Sequence, residues 1–349
     1  MRESFLVVNL NQVGAVVLSL PVFAALRRAF PQAFLATLVR EAMIPLLEGN
    51  PYIDVIIGWE KKWSLKRKWE VVKALRVLRC KVALNLSHSF ERCLLTWLSG
   101  ARVRIGFQSA EASFFLTHRV AEPPLRHSAD LNLDLVRALG VSVGEEAREG
   151  LRIWLKEEDR IFMQSWIRQV GLKSDEPLVA LNPGGATSPL NRWMPEAFGM
   201  LALILRGQGC QVAVLGGQED LVAARQIRQV AGDAAWYLTG QLTLRQLVAF
   251  IAHCDVLVTG DTGPMHIATA VDTPVVALFG RAEPRKTGPF RGTNIIIQKK
   301  HLPCVPCLSH RCRLPFEKLC MHLITPQEVA EAVLSLLSKG LSKRQVRAS

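Results

Sequence analysis

Residues that could hold a phosphate lie together in one short stretch of this chain, Thr259-Gly260-Asp261-Thr262-Gly263-Pro264-Met265-His266. The apolar run before this stretch predicts a buried strand, and the Ala-rich run after it predicts a helix with Pro264 in its first turn. Free N–H groups and the positive end of the helix dipole point out of such a turn. An ordinary strand-to-helix turn is the alternative, but the density of polar residues favours a site for a phosphate or diphosphate.

The length and composition of the chain predict a globular protein of two domains. A chain of 349 residues, 49% of them hydrophobic, is too long for one ordinary core and suits two α/β domains. No run of 18 uninterrupted apolar residues is present, so the sequence predicts no transmembrane helix. The short apolar run at 5–10 lacks a small-residue cleavage site and predicts a first strand, not a signal peptide.

The formal net charge of +13 favours an anionic partner, which could be nucleic acid, an anionic lipid surface or a phosphorylated substrate. Five of the cations lie with two tryptophans in the basic segment, which we define as residues 61–69. This mixture suits a membrane interface. A solvated helix face is the alternative interpretation.

The eight cysteines fall into two groups. Four stand alone among apolar neighbours and are predicted to be buried free thiols: Cys80, Cys93, Cys210 and Cys254. The other four are close in sequence, namely Cys304, Cys307, Cys312 and Cys320. In a reducing compartment a C-x-x-C pair indicates metal or redox chemistry, although the later spacings are irregular. Loop packing or an opportunistic disulfide are the alternatives, and we expect no metal at these candidates.

Strand-like and helix-like segments alternate along both halves of the chain, which predicts parallel sheets covered by helices. The charged stretch 144–159 is the weakest region for a core and the best linker. We predict an N-terminal domain over 1–155, a C-terminal domain over 156–324, a final helix over 325–340 with a path back to the N-terminal domain as one option, and a frayed basic tail over 341–349. Neither half has a GxGxxG motif after a strand, which argues against a dehydrogenase.

Several motifs together resemble glycosyltransferase family 9, the lipopolysaccharide heptosyltransferases, and within it the heptosyltransferase II group. They are Gly260-Asp261-Thr262-Gly263-Pro264-Met265-His266-Ile267-Ala268, Leu278-Phe279-Gly280, Asn182-Pro183-Gly184, Arg192-Trp193 and Arg104-Ile105-Gly106, and the cysteine pattern ends in Cys320-Met321. The resemblance spans nearly the whole chain.

The resemblance implies a GT-B fold, in which two Rossmann-like domains have parallel sheets that face a central cleft. It implies an inverting transfer of heptose from ADP-heptose to the lipid A–inner core acceptor, with no required cofactor or metal. It also implies a cytoplasmic protein held peripherally at the inner membrane, with no nucleic-acid partner.

The donor site that the resemblance implies lies in the C-terminal domain. Asp261, Thr262 and Gly263 would face the diphosphate, and Arg192 would add a cation. His266 would contact the phosphate, with simple packing as the alternative, and Leu242 would contact the adenine unless it is a plain core leucine. The remaining donor-site candidates are Asn191, Gly184 and Glu219, the last of which could reach a ribose hydroxyl.

The acceptor side departs from the family pattern at the expected general base. The family has Gly-Asp after its first strand, whereas this chain has Gly14-Ala15, and a methyl group cannot take a proton. His88 is the nearby candidate for a substitute base, with a simple loop histidine as the alternative. The other residues expected to bind the acceptor are Gly14, Ser89, Glu91 and Arg92.

Two functions are therefore compatible with the sequence. The first is an active family 9 glycosyltransferase, slowed by the loss of the carboxylate at Ala15. The second is an inactive member that binds a nucleotide sugar or a glycolipid. A nucleic-acid-binding protein with a cysteine-bound metal depends on charge and cysteines alone, and the resemblance outweighs it.

Overall fold

The computed structural model describes residues 3–184, 189–309, 311–312 and 317–347, and the chain divides into two compact units at Trp154–Leu155. The prediction placed the boundary one residue later. Each unit contains a six-stranded sheet in which all strand pairs are parallel. The prediction of two α/β units with parallel sheets is therefore confirmed.

The first unit has the strand order β3-β2-β1-β4-β5-β6. Its strands are β1 (Ser4–Asn9), β2 (Phe34–Arg40), β3 (Val55–Trp59), β4 (Val82–Asn85), β5 (Val103–Phe107) and β6 (His118–Val120). Its α-helices are α1 (Val13–Val17), α2 (Leu20–Ala29), α3 (Ile44–Leu47), α4 (Leu65–Val77), α5 (Phe90–Leu98) and α6 (Ser128–Arg137). Short 3-10 helices span Glu41–Met43, Ser113–Phe115 and Glu145–Gly150.

The second unit has the strand order β12-β11-β10-β7-β8-β9. Its strands are β7 (Leu178–Asn182), β8 (Gln211–Val214), β9 (Trp236–Tyr237), β10 (Val256–Gly260), β11 (Val275–Phe279) and β12 (Asn294–Gln298). Its α-helices are α7 (Glu157–Val170), α8 (Pro195–Gly207), α9 (Leu221–Ala231), α10 (Leu244–His253), α11 (Gly263–Ala270), α12 (Pro284–Thr287), α13 (Leu319–His322) and α14 (Pro326–Arg347). Short 3-10 helices span Pro189–Asn191, Gln218–Asp220 and Gly232–Ala234.

Strand order reverses once in each sheet, between β1 and β4 in the first unit and between β7 and β10 in the second. At such a point the loops that leave the two central strands diverge, and the crevice between them is where open parallel sheets bind ligands. The topology therefore directs attention to the carboxyl ends of these four strands.

Apolar side chains cover both faces of the first sheet. Along β1, Phe5 and Val7 belong to one core cluster and Leu6 and Val8 to the other, as the alternation of a strand requires. Because β1 is buried on both faces, its sequence is a continuous apolar run and not an alternation of apolar and polar residues. Cys80, Cys93, Cys210 and Cys254 are buried free thiols, as predicted.

The segment around 144–159 contains buried residues as well as charged ones. Ala147 and Leu151 are buried, and a Cβ added at Gly150 would lie 2.5 Å from the Cβ of Ala24 in α2. This close approach seats the 3-10 helix on α2. The boundary between the two units falls inside this stretch, at Trp154–Leu155, where the linker was predicted.

The last helix is longer than predicted, since α14 continues to Arg347 through most of the predicted tail, and residues 348–349 lie outside the described part of the chain. Val329, Val333 and Leu336 of this helix pack in the core of the second unit. Its return to the N-terminal domain stays a prediction. Across the described residues, no helix has both the length and the apolar character to cross a membrane.

Candidate functional site

Asn182 joins the two central loops of the second unit. It is the last residue of β7 and is buried, and its Nδ2 donates to the Oγ1 of Thr259 on β10 at 3.0 Å and to the Gly184 carbonyl at 3.2 Å. The hydroxyl groups of Thr259 and Thr262 are 2.9 Å apart. These bonds fix the loop after β7 against the loop after β10, at the point where strand order reverses.

Gly184 lies against a buried carboxyl group that the sequence did not single out. A Cβ added at Gly184 would lie 1.8 Å from the Cγ of Asp220, so no other residue fits without movement of one of the loops. Oδ2 of Asp220 also accepts a hydrogen bond from the Gly217 amide at 3.0 Å. Asp220 therefore holds the loops after β7 and β8 together. The Gly216-Gly217 pair after a strand was the available signal for this close approach.

Arg192 and Asn191 lie at the same edge of the sheet. Nη2 of Arg192 is 3.9 Å from Oδ1 of Asp220, and a Cβ added at Gly260 would lie 3.2 Å from the Asn191 carbonyl oxygen. Within the described residues, three buried polar atoms of this cluster lack a hydrogen-bond partner: Nε of Arg192, Oδ1 of Asn191 and Oδ1 of Asp220. Buried polar atoms without partners are costly, so this set is suited to a polar ligand.

Helix α11 begins at Gly263, and Thr262 occupies its N-cap position. The Thr262 side chain makes no capping bond because its hydroxyl pairs with Thr259, which leaves the first amides of the helix available to an anion. His266 lies one turn further along and is buried. The predicted strand-to-helix turn is therefore present, with its amides at the carboxyl end of a central strand.

Asp261 has an unusual protonation equilibrium. Burial raises the pKa of its carboxyl group to about 6, although a hydrogen bond from Thr287 Oγ1 at 3.1 Å and the charge of Arg281 both oppose the rise. Nε of Arg281 is another buried atom with no hydrogen bond in the described part of the chain. A carboxyl group that is readily protonated repels a bound diphosphate less than an ordinary aspartate would.

Leu242 and Glu219 lie on two neighbouring loops of this edge. Leu242 follows β9 and is half-buried, and Glu219 follows β8 and is exposed. Nε2 of Gln218 donates to the Gly240 carbonyl at 2.7 Å and ties the two loops together. The structure thus places the sequence-predicted donor residues at one edge of the second sheet, on its loops and at the start of α11.

A polar network closes the corresponding edge of the first unit. Oδ1 of Asn9, at the end of β1, accepts from Nδ2 of Asn11 at 2.8 Å, and Asn11 in turn accepts from Nη1 of Arg92 at 2.8 Å. Arg92 also donates to the Leu10 carbonyl at 2.7 Å and to Ser87 Oγ at 2.5 Å. Burial, reinforced by the charge of Arg40, lowers the pKa of Arg92. Arg92 therefore joins the loops after β1 and β4. The spacing of residues in the sequence could not reveal this connection.

The predicted acceptor residues Ser89 and Glu91 lie at the start of α5. Ser89 is the N-cap residue but makes no capping bond, and Oε2 of Glu111 instead accepts from the Phe90 amide at 2.9 Å. Oε1 of Glu91 accepts from the indole of Trp59 at 3.3 Å. Both acidic side chains at this helix start therefore have structural partners.

Gly14 and Ala15 lie in the short helix α1, which follows the loop after β1. Ala15 is exposed, and its carbonyl oxygen accepts from Nδ2 of Asn9 at 3.1 Å. The segment 10–17 contains no titratable side chain, so it offers no proton acceptor. His88 lies in the loop after β4, where its Nε2 is 2.6 Å from Oε2 of Glu122.

The C-terminal cysteines are near one another. Burial first, and then the neighbouring thiols of Cys307, Cys304 and Cys312, raise the pKa of Cys320. Among the described residues, no group of three or more His, Cys, Asp or Glu side chains is arranged to hold a metal ion. Their function as metal ligands is therefore not supported by this geometry.

Comparison with known proteins gives the context for these two edges. The model of glycosyltransferase family 9 (heptosyltransferase) matches residues 68–317. The chain is 27% identical to lipopolysaccharide heptosyltransferase 2 of Salmonella typhimurium, over 96% of this chain and 98% of that protein.

Solved structures agree with the sequence match. A family 9 glycosyltransferase from Veillonella parvula superposes with a TM-score of 0.85 at 26% identity and covers 97% of both chains. The E. coli ADP-heptose heptosyltransferase II gives a TM-score of 0.79 at 24% identity, over 97% of this chain and 99% of that one. The predicted GT-B fold is confirmed. Because the family model matches more than half of its residues, the chain belongs to glycosyltransferase family 9.

Proposed function

We propose that this protein transfers heptose from ADP-heptose to the lipid A–inner core acceptor of lipopolysaccharide, with inversion at the anomeric carbon. The relatives named heptosyltransferase 2 support the choice of sugar and acceptor. The observation that carries the proposal is the set of loops held together by Asn182 and Asp220 around the start of α11.

This edge suits the leaving-group half of the reaction. When the anomeric C–O bond breaks, negative charge develops on the diphosphate, and amide donors fixed in advance stabilise that charge best. The amides at the start of α11 and the unpartnered Nε of Arg192 are such donors. Asp261, Thr262, Gly263, His266, Arg192, Asn191 and Gly184 are the proposed diphosphate residues, with Leu242 for the adenine and Glu219 for the ribose.

The first unit is the proposed acceptor-binding unit, with Gly14, Ser89, Glu91 and Arg92 at its edge. Arg92 is committed to internal bonds, so we assign it the task of fixing the loops and leave direct acceptor contact to the exposed groups around it. The anionic acceptor would meet a strongly basic surface, because four of the five cations of the basic segment are exposed and the fifth, Lys68, is half-buried.

Two neighbouring helices of this unit carry exposed apolar side chains suited to a membrane surface. Leu65 and Trp69 of α4 are 85% and 48% exposed, and Trp97 of α5 is 47% exposed. Nε of Arg76 donates to the Leu98 carbonyl at 2.9 Å and joins the two helices. Large apolar groups beside cations favour an anionic interface. We propose that this face holds the protein peripherally at the cytoplasmic side of the inner membrane.

A non-catalytic member of the family is the second candidate, and Ala15 is the observation that favours it. Such a protein would bind ADP-heptose or the glycolipid without turnover. The two candidates differ in one measurement, the release of ADP in the presence of a heptose-deficient lipid A–core acceptor. Release that requires both ADP-heptose and the acceptor supports the transferase, whereas tight ADP binding without acceptor-dependent release supports the binding module.

A further inference from the structure

The loop after β4 holds a histidine that is positioned for proton transfer. The ring of His88 stacks on Phe107 with the ring centroids 4.8 Å apart and the planes 8° from parallel. Its Nε2 is 2.6 Å from Oε2 of Glu122, and its carbonyl oxygen accepts from the Glu111 amide at 2.8 Å. The ring is therefore fixed by the last residue of β5 and by a carboxyl group that follows β6, yet the side chain is 52% exposed.

Glu122 is held as an ionised acceptor. Burial opposes its ionisation, but hydrogen bonds from Ser109 and His88 outweigh burial and lower the pKa of the carboxyl group. Oε1 of Glu122 accepts from Ser109 Oγ at 2.5 Å and from the Ser109 amide at 3.3 Å. An ionised carboxylate only accepts hydrogen bonds, so Nε2 of His88 carries the proton and Nδ1 is the free basic nitrogen. Among the described residues, no group bonds to this Nδ1.

Two acids near this edge each accept one structural hydrogen bond. Glu91 accepts from Trp59, and Glu111 accepts from the Phe90 amide. Arg92 lies on the same helix as Glu91 and cannot act as a base. His88 is an exposed group with an unused proton-accepting atom beside the β1–β4 reversal point. The segment that precedes His88 is joined to the segment that precedes Ala15, because Nδ2 of Asn11 donates to the Leu86 carbonyl at 3.1 Å.

We propose that His88 is the general base of the transfer and that Glu122 is its positioning residue. This inference depends on the proposed function. Nδ1 of His88 takes the proton of the acceptor hydroxyl while the oxygen forms a bond to the anomeric carbon. The bond from that carbon to the diphosphate oxygen breaks, and its electron pair leaves with ADP. The imidazolium, paired with Glu122, then returns the proton to water. This assignment supplies the base that Ala15 lacks.

The test is the pH dependence of transfer from ADP-heptose to a heptose-deficient lipid A–core acceptor. His88→Gln should lower kcat by about 10²–10⁴-fold, with ADP affinity unchanged. The wild-type rate should rise with pH, as for a base that must lose a proton. Glu122→Gln removes a negative charge that favours the imidazolium, so the rise should move to lower pH. Glu111, whose amide donates to the His88 carbonyl, and Arg92, which donates to Ser87 Oγ, are unchanged in these variants.

His118→Gln is the matched control, because His118 is an exposed histidine of the same unit that bonds only to Thr117 among the described residues. Its rate and pH profile should equal those of the wild type. A kcat for His88→Gln within threefold of wild type overturns the assignment, and so does a Glu122→Gln profile that does not move. If the wild type binds ADP but transfers no heptose, and Ala15→Asp creates a transfer that survives His88→Gln, His88 is not the base. If neither ADP binds nor heptose moves in any variant, the proposed function fails as well.

Discussion

Asn9 and Asn182 occupy equivalent positions in the two units. Each is the buried last residue of the first strand of its sheet, and each donates its Nδ2 to a carbonyl oxygen in the segment that follows, Ala15 at 3.1 Å and Gly184 at 3.2 Å. The chemistry around them differs, because Asn182 bonds onward to Thr259 at the start of a phosphate-type turn, whereas Asn9 bonds to Asn11 in the network of Arg92.

We expect this relationship to separate effects on the proposed donor site from effects on the proposed acceptor site. Asn182→Ala should weaken ADP binding by about tenfold or more, because the loops after β7 and β10 lose their shared donor, and a lost buried hydrogen bond costs ~1–3 kcal/mol. Asn9→Ala is the matched control and should leave ADP affinity unchanged. Calorimetry on both variants provides the comparison. Equal weakening by the two changes would show that loss of stability, and not the donor site, is being measured.

Gly184→Ala should disrupt the packing of the loops after β7 and β8, which belong to the proposed donor site, because its new Cβ would overlap the carboxyl group of Asp220. We expect ADP affinity to fall at least tenfold and the midpoint of thermal unfolding to drop by several degrees. Gly207→Ala is the control, since a Cβ there meets no atom within 4 Å. The double variant Gly184→Ala/Asp220→Ala should recover part of the lost stability. A Gly184→Ala protein with normal ADP binding would contradict the close packing of these loops.

Asp261 should make stability depend on pH. Its folded pKa of about 6 is above its unfolded value, so its contribution to stability is fully present below about pH 4 and is lost as pH rises through 6. Between pH 4 and 7 the free energy of unfolding of the wild type should therefore fall by ~1–2 kcal/mol relative to that of Asp261→Asn. This figure is smaller than the full pKa shift would give, because the residue is partly exposed. Urea unfolding at several pH values measures this difference. A difference that is constant over the range would show that Asp261 ionises as an ordinary aspartate.

The basic segment should promote binding to anionic membranes. Replacement of Lys66, Arg67 and Lys68 by Gln should lower co-sedimentation with anionic vesicles, since each cation near such a surface contributes ~1 kcal/mol. Binding should also fall with added salt. The control replaces three exposed cations of the second unit by Gln: Arg160, Arg225 and Arg228. An equal loss in the control variant, or equal binding to neutral vesicles, would argue against a defined membrane face.

Local pattern in the sequence predicted the parts of the fold that depend on neighbours in the chain. The apolar runs, Pro264 at a helix start and the polar turn at 259–263 each have a local physical cause, and the structure contains all of them. The two units and their parallel sheets followed from the α/β alternation and the family resemblance, whereas strand order did not. The short helix at Val13–Val17 escaped prediction because it has neither a capping bond nor an acidic first turn.

The remaining parts of the site depend on contacts between distant residues. Asp220 meets Gly184, Glu122 meets His88, and Arg92 meets Asn11, at separations of 36, 34 and 81 residues. No periodicity or spacing in one sequence encodes such pairs, and the resemblance motifs did not include Asp220 or Glu122. The clearest missed signal is an asparagine at the end of a buried apolar strand, where a polar side chain needs partners at the edge of the sheet.

The most direct test of the central claim is the mass of the acceptor after incubation with ADP-heptose and this protein. A heptose-deficient lipid A–core acceptor should gain the mass of one heptose, with one ADP released for each acceptor modified and none released without the acceptor. The gain should be abolished with Asn182→Ala/Arg192→Ala, which lacks the bonds that hold the loops after β7 and β10 together and the proposed diphosphate cation. An acceptor of unchanged mass, in the presence of a protein that binds ADP normally, would contradict heptose transfer and favour the binding module.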